Sequence, residues 1–314
     1  MKMNFIPGNI WQDTDGKPIQ AHGGGLLYDR GTYYWYGENK DAPNIAGKDR
    51  VDVCGVSCYS SQDLLNWKDA GLVLPAVPDD PTHDLYPARV AERPKVIWCP
   101  ATGQYVLWLH VDSADYQDAR TGVAVSASPT GPFEYVGSFR PNGYESRDMT
   151  VFSDTDGAAY LFYSSDNNKT LRIARLSDDY LSVTADAATA FEGQSREAPA
   201  VFVHNGTYYM LSSGCSGWLP NQAEWASAPF PLGPWTTGGN PCAGEGAETT
   251  FGAQSTFVLP VAGKEKTFIA LFDRWSPYNL QDSRYVWLPI EWDGPHPIIR
   301  WRDEWDGAVL EELD

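Results

Sequence analysis

Apolar and polar positions along this chain fall into short alternating runs, and one arrangement of them returns five times. A polar residue stands first, then an apolar run, a turn, and a second run rich in aromatic and β-branched side chains. The five segments begin at His22 (HGGGLLYDRGTYYWY), Glu92 (ERPKVIWCPATGQYVLW), Asp148 (DMTVFSDTDGAAYLFY), Glu197 (EAPAVFVHNGTYYML) and Gln254 (QSTFVLPVAGKEKTFIAL). Gly31, Gly157, Gly206 and Gly263 follow their anchors at one common distance, and Gly103 follows Glu92 a little farther on. Period-two runs around a glycine predict a β-hairpin, the glycine supplying positive φ at its tip.

Each unit continues into a second pair of runs around a turn. These are VCGVSCYSSQDLLNWKDAG, TGVAVSASPTGPFEYVGSF, KTLRIARLSDDYLSVTA, QAEWASAPFPLGPWTT and SRYVWLPIEWDGPHPIIRW. Two hairpins make a four-stranded antiparallel sheet, and recurrence at intervals of roughly 50 to 70 residues is the mark of a repeat architecture. The prediction is an all-β protein: a five-bladed β-propeller with four antiparallel strands per blade, one catalytic domain over residues 1–314. Blades stacked face to face leave no long open edge. No run shows sustained helical periodicity, and the 29 glycines and 23 prolines punctuate strands. A β-sandwich is the competing architecture, but it does not require a polar anchor at the same place in every unit.

A propeller turns this spacing into geometry. Equivalent positions in every blade lie at equal distance from the axis, so His22, Glu92, Asp148, Glu197 and Gln254 should converge at one end of the central channel. Such anchors can serve simply to hydrogen-bond loop backbone. Three carboxylates at equivalent positions point instead to a site. Two separated carboxyl groups in a closed pocket are what glycoside hydrolysis needs, one donating a proton to the leaving oxygen. Nearby carboxylates raise one another's pKa. Glu197 is therefore expected to be the general acid, kept protonated near neutral pH by Asp148 and partial burial, with Arg196 and Pro199 fixing the start of its strand. His22, before three glycines, is expected either to contact a ligand or to hydrogen-bond within the channel.

Composition narrows the partners. A net charge of −18 argues against nucleic acid or an anionic membrane, both of which call for basic patches. No segment is apolar for long enough to span a bilayer. The 13 tryptophans and 17 tyrosines suit both blade packing and the C–H faces of sugar rings. There is no G-x-S-x-G or H-E-x-x-H, and the five histidines are dispersed, so no cofactor or metal is expected. The five cysteines include no Cys-x-x-Cys pair, and the N-terminus shows no apolar signal region; a cytoplasmic setting is the expectation.

The runs IQAHGGG, YYWYGE, VSCYSSQDLLNW, ERPKV, SRDMTVF, SSDNN, REAPAVFVHNGTYY, SGWLPN, AQSTFVLP and SRYVWLPI, in this order, resemble the exo-β-1,3-galactanase branch of glycoside hydrolase family 43. The resemblance implies a five-bladed propeller that inverts anomeric configuration and releases galactose from the non-reducing end of β-1,3-galactan, the backbone of arabinogalactan. It implies Glu197 as catalytic acid, Asp148 as the carboxylate that tunes that acid and orients substrate, Glu92 as a contact to the terminal sugar, and Gln254 as the holder of the attacking water. Glu38, Tyr116, Asn168, Gly217 and Trp218 fall where the branch contacts substrate. The wider family's first-blade aspartate, its general base, is replaced here within Ala21-His22-Gly23. That leaves the base open between Gln254 and Glu92. The appended carbohydrate-binding module of many relatives is missing from these residues, so oligosaccharides are expected as the more natural substrate. An α-L-arabinofuranosidase, a β-galactofuranosidase and a non-catalytic sugar-binding propeller are the competing functions.

Overall fold

The computed structural model describes residues 4–313. Five antiparallel sheets form in sequence order, each from one contiguous stretch of chain. Their innermost strands are His22–Asp29, Val90–Cys99, Met149–Ser153, Arg196–His204 and Gln254–Pro260. Each pairs through a hairpin with the next strand, and each inner strand also packs against the inner strand of the neighbouring sheet, closing a ring from the fifth back to the first. This is the five-bladed propeller expected from the repeats. The fifth blade departs from four strands: Cys242–Ala243 adds in parallel to its outermost strand, His296–Arg300.

Period-two alternation explains the packing. In the strand Gln104–Asp112, Leu107 and Leu109 join the apolar cluster shared with blade 1, while Val106 and Trp108 join the one shared with blade 3. Each blade thus buries both faces. The described residues hold five such clusters, one for each blade interface. The interface that closes the ring is the most aromatic, with Trp35, Trp67, Tyr285, Trp287 and Trp305. Phe5 stacks on Trp305 at 4.0 Å, and the two residues exchange backbone hydrogen bonds of 2.7 and 3.0 Å. Among the described residues no blade takes strands from both ends of the chain; the ring is closed by that single bridge and by side-chain packing, each fully buried large side chain contributing roughly 1.5–3 kcal/mol.

The cavity end of the inner strands carries a second regularity. Register shifts follow the anchors in blades 1, 2, 4 and 5. Gly23, Arg93 and Ala198, each next after an anchor, take left-handed φ of 58°, 57° and 53°. A β-bulge bends its strand and re-aims the adjoining side chain. Here the bulges turn polar residues from the sheet face toward the axis.

Candidate active site

At that end of the channel lies a cavity of about 450 Å3, lined by residues from all five units. Glu38, Glu92, Tyr116, Asp148, Asn168, Glu197, Gly217, Trp218 and Gln254 all lie in its wall. His22 does not. It is fully buried, with Nδ1 3.4 Å from Asp273 Oδ1, Nε2 3.2 Å from Gln20 Oε1, and its ring stacked on Tyr285 at 4.9 Å. Of the two readings of His22, the structure places it within the channel's own hydrogen bonding. The physical reason is the fifth blade: Asp273 also accepts from the Gly23 amide, so its carboxylate and Tyr285 seal the first anchor off.

Glu197 sits at the start of the fourth inner strand with two amides on its carboxyl group. Gln254 Nε2 donates to Oε1 at 3.1 Å, and Asn168 Nδ2 to Oε2 at 3.1 Å. Burial, then the Asp148 charge, push its pKa up to about 8 in spite of the nearby Arg93. At neutral pH the group is an acid with a proton to give. Asp148, from the preceding blade, is held by Arg93, whose Nε and Nη2 lie 3.1 and 2.8 Å from its two oxygens. Arg196, on the other side of the acid, reaches back along its own sheet to the Ser212 carbonyl and hydroxyl.

Glu92 belongs to a different electrostatic unit. Tyr116 donates to its Oε1 at 2.8 Å, and His110 Nδ1 lies 3.3 Å from Oε2. The other His110 nitrogen is 2.9 Å from Asp112 Oδ2. Burial opposes both charges, yet the two carboxylates hold His110 up to about 9, and the imidazolium brings Glu92 down to about 2. Glu92 therefore stays ionised over any working pH. Glu38 accepts from the Arg93 backbone amide at 3.0 Å and pairs with Lys40 at 2.6 Å. Burial raises the pKa of Glu38, with Lys40 pulling the other way.

Several residues in this network had no signal in the repeat pattern. Arg93 reaches Asp148, Gln254 Oε1 at 2.6 Å and the Ser255 carbonyl at 3.2 Å. Trp275 donates to Gln254 Oε1 at 3.0 Å and stands edge-on to Trp218 with centroids 5.3 Å apart. His110 pairs with Glu92 across the second hairpin. Lys48, Asp49, Arg50 and Arg147 complete the rim. The one signal available for His110 was register: counting back from the Gly103 turn sets it opposite Glu92.

Beneath the cavity the channel is filled. Lys95 donates to the Gly23 carbonyl at 2.9 Å, Ser255 to that of Ala198 at 2.7 Å, and Thr256 to that of Gly24 at 3.0 Å. All three side chains are buried. The cavity is therefore a dead end. Glu92, His110 and Asp148 bring ligand-type atoms within 4.8 Å of one another, the arrangement among the described residues that could hold a metal ion. The chemistry favours an ion-pair cluster there. A divalent cation would have to strip the proton from His110 and sit beside the Arg93 guanidinium already bound to Asp148.

A propeller whose dead-end cavity holds a buried carboxyl group with its pKa raised to about 8 and an ionised one, Glu92, is the architecture of a glycoside hydrolase. The profile of the family described as Glycosyl hydrolases family 43 matches residues 23–260. Among solved structures, a family 43 β-1,3-galactosidase is 42% identical, with a TM-score of 0.93 over 100% of this chain and 65% of its own length. A second family 43 β-1,3-galactosidase, solved with galactodeoxynojirimycin, is 40% identical over 96% of this chain and 100% of its own, with a TM-score of 0.91. An exo-β-1,3-galactanase from Phanerochaete chrysosporium, solved as a glutamate-to-alanine variant with β-1,3-galactotriose, is 37% identical, covers 96% of this chain and 68% of its own, and superposes with a TM-score of 0.89. No curated protein matches the chain in sequence. The chain belongs to glycosyl hydrolase family 43.

Proposed function

We propose that this protein is an inverting, exo-acting glycoside hydrolase that releases galactose from the non-reducing end of β-1,3-linked galactose chains. The observation that carries this reading is Glu197: an acid with its pKa raised to about 8, at the wall of a dead-end cavity it shares with Glu92, which stays ionised. A cavity closed below accepts the end of a chain and not its middle. Similarity to β-1,3-galactosidases and to an exo-β-1,3-galactanase over nearly the whole chain supports the galactose and the 1,3-linkage.

In this reading the terminal galactosyl ring enters the cavity with its glycosidic oxygen toward Glu197. Glu197 gives its proton to that oxygen as the bond breaks, while a water attacks the anomeric carbon from the opposite face and passes a proton to one of the two candidate bases, Gln254 or Glu92. Glu92, which stays ionised, stabilises the positive charge that develops on the ring. Tyr116, Asn168, Gly217 and Trp218, all in the cavity wall, border the bound sugar. Glu197→Gln keeps the shape of the side chain and removes the proton. Its turnover of β-1,3-galactobiose should fall by at least about 100-fold while galactose binding, followed by calorimetry, persists. Wild-type turnover in this variant would overturn the assignment.

A further inference from the structure

We propose that Glu145, which lies outside the cavity wall, is a positioning residue: paired with Arg147, it holds the hairpin loop that sets Asn168 against Glu197. Its effect on turnover rests on Glu197 being the general acid.

The loop joins Ala159–Ser165 to Thr170–Leu176, the second and third strands of blade 3. Three of its four residues, Asp166, Asn167 and Asn168, take left-handed φ of 55°, 55° and 60°, the longest such run of non-glycine residues among those described. Asp and Asn tolerate that region best, yet three in succession persist only where the surroundings over-determine them. Asp166, at one end, pairs with Arg172 at 2.9 Å. The middle is held by Glu145. A single oxygen, Oε2, accepts from the Asn167 amide at 2.8 Å and from Arg147 Nη1 at 2.7 Å. Arg147 Nη2 reaches Asn167 Oδ1 at 3.4 Å. One residue on, Asn168 Nδ2 donates to Glu197 Oε2 at 3.1 Å, so a loop of the third blade touches the acid of the fourth. Asn168 Oδ1 is buried with no hydrogen-bond partner, which leaves that amide to be placed by the backbone beneath it.

The other side of this clasp is rigid. Ser146, between Glu145 and Arg147, is fully buried; its amide donates to the Ala119 carbonyl at 2.9 Å, and its hydroxyl lies 2.6 Å from that of Thr121 in the Arg120–Ser126 strand of blade 2. Anchoring Ser146 fixes the residues on both sides of it. Arg147 Nη2 also reaches the Tyr116 carbonyl at 3.1 Å. The loop around Tyr116 has braces of its own. Arg140 donates to the carbonyls of Gln117 and Asp118, both at 2.9 Å, and Ser113 Oγ accepts from the amides of the same two residues at 3.1 and 3.2 Å. Without Glu145 the Tyr116 side therefore stays in place, and the Asn168 side loses its hold. Burial opposes a charge on Glu145, yet the Asn167 amide and Arg147 bring its pKa below the usual carboxylate range, so the ion pair persists near neutrality.

Turnover of saturating β-1,3-galactobiose is measured for Glu145→Ala, Glu145→Gln, Asn168→Ala, the double variant Glu145→Ala/Asn168→Ala, and Glu197→Gln. Glu145→Ala should lose about 10-fold in kcat, because a displaced Asn168 leaves the acid less well aligned. Glu145→Gln should stay within about twofold of wild type, since one amide oxygen can take both bonds that Oε2 takes now. Asn168→Ala should lose at least as much as Glu145→Ala, and the double variant no more than Asn168→Ala alone, the two acting through one contact. Wild-type kcat in Glu145→Ala beside an inactive Glu197→Gln would overturn the clasp and leave the acid assignment standing. Losses that multiply in the double variant would also overturn it, because Glu145 would then act independently of Asn168. A Glu145→Gln as impaired as Glu145→Ala would show that charge, and not the hold on Asn167, is what Glu145 supplies, with the same consequence. Wild-type turnover in Glu197→Gln would overturn the acid, and the proposal with it.

Discussion

At the scale of single residues, the site divides into two electrostatic compartments joined by Arg93. On one side Glu197 is made a proton donor by burial and by Asp148; on the other Glu92 is kept a permanent anion by His110. Only the first titrates near neutrality. In the proposed role of Glu197 the active form carries the proton, and the folded pKa is raised to about 8, so kcat/KM on β-1,3-galactobiose should hold below that value and fall as pH rises through it. Asp148→Asn removes a like charge and releases Arg93 to act on Glu197 alone. Both changes favour the carboxylate, so the alkaline limb of the pH–rate profile should move to lower pH; a limb that stays in place would mean that Asp148 does not set the acid's pKa. The anchors were legible in the sequence because each stands at the same place in its repeat. Arg93 and Trp275 were not: one lies among ordinary strand residues in ERPKV, and the other is one of 13 tryptophans, most of them used for packing. What singles them out is the company they keep across blades.

At the scale of the element, inner-strand bulges convert a hairpin repeat into a ring of inward-facing groups. The hairpins could be read from alternation and turn glycines, and their positions match the strands. The bulges could not, because nothing local marks Arg93 or Ala198 for a left-handed φ; the surrounding network holds them there. His22 shows the same limit, its direction being decided by Asp273 from another blade. The first hairpin is also tight. A Cβ on Gly24 would meet the Tyr36 carbonyl oxygen at 1.7 Å, whereas one on Gly31 at the hairpin tip would meet nothing within 4 Å. Gly24→Ala should thus force the strands apart below Glu38, costing about 3 kcal/mol and most of the activity. Gly31→Ala strains only its positive φ, at about 1 kcal/mol with activity retained. Urea unfolding of the two variants tests this, and equal costs would show that the close approach at Gly24 does not constrain the blade.

At the scale of the whole molecule, five apolar interfaces fix five sheets around an axis, and the axis places side chains from distant parts of the chain around one cavity. The ring could be anticipated from five repeats. Its closure could not, since Phe5 and Trp305 lie at opposite ends of the sequence and carry no shared motif. Nor could the filled channel, which depends on Lys95 reaching carbonyls of two blades. That filling makes the site a pocket, and the proposed exo action rests on it. The most direct measurement is proton NMR of β-1,3-galactotriose during its first minutes with the protein. Single galactose units should appear from the non-reducing end as the α-anomer, before mutarotation. Release of galactobiose as the first product, or of galactose as the β-anomer, would contradict a dead-end inverting site.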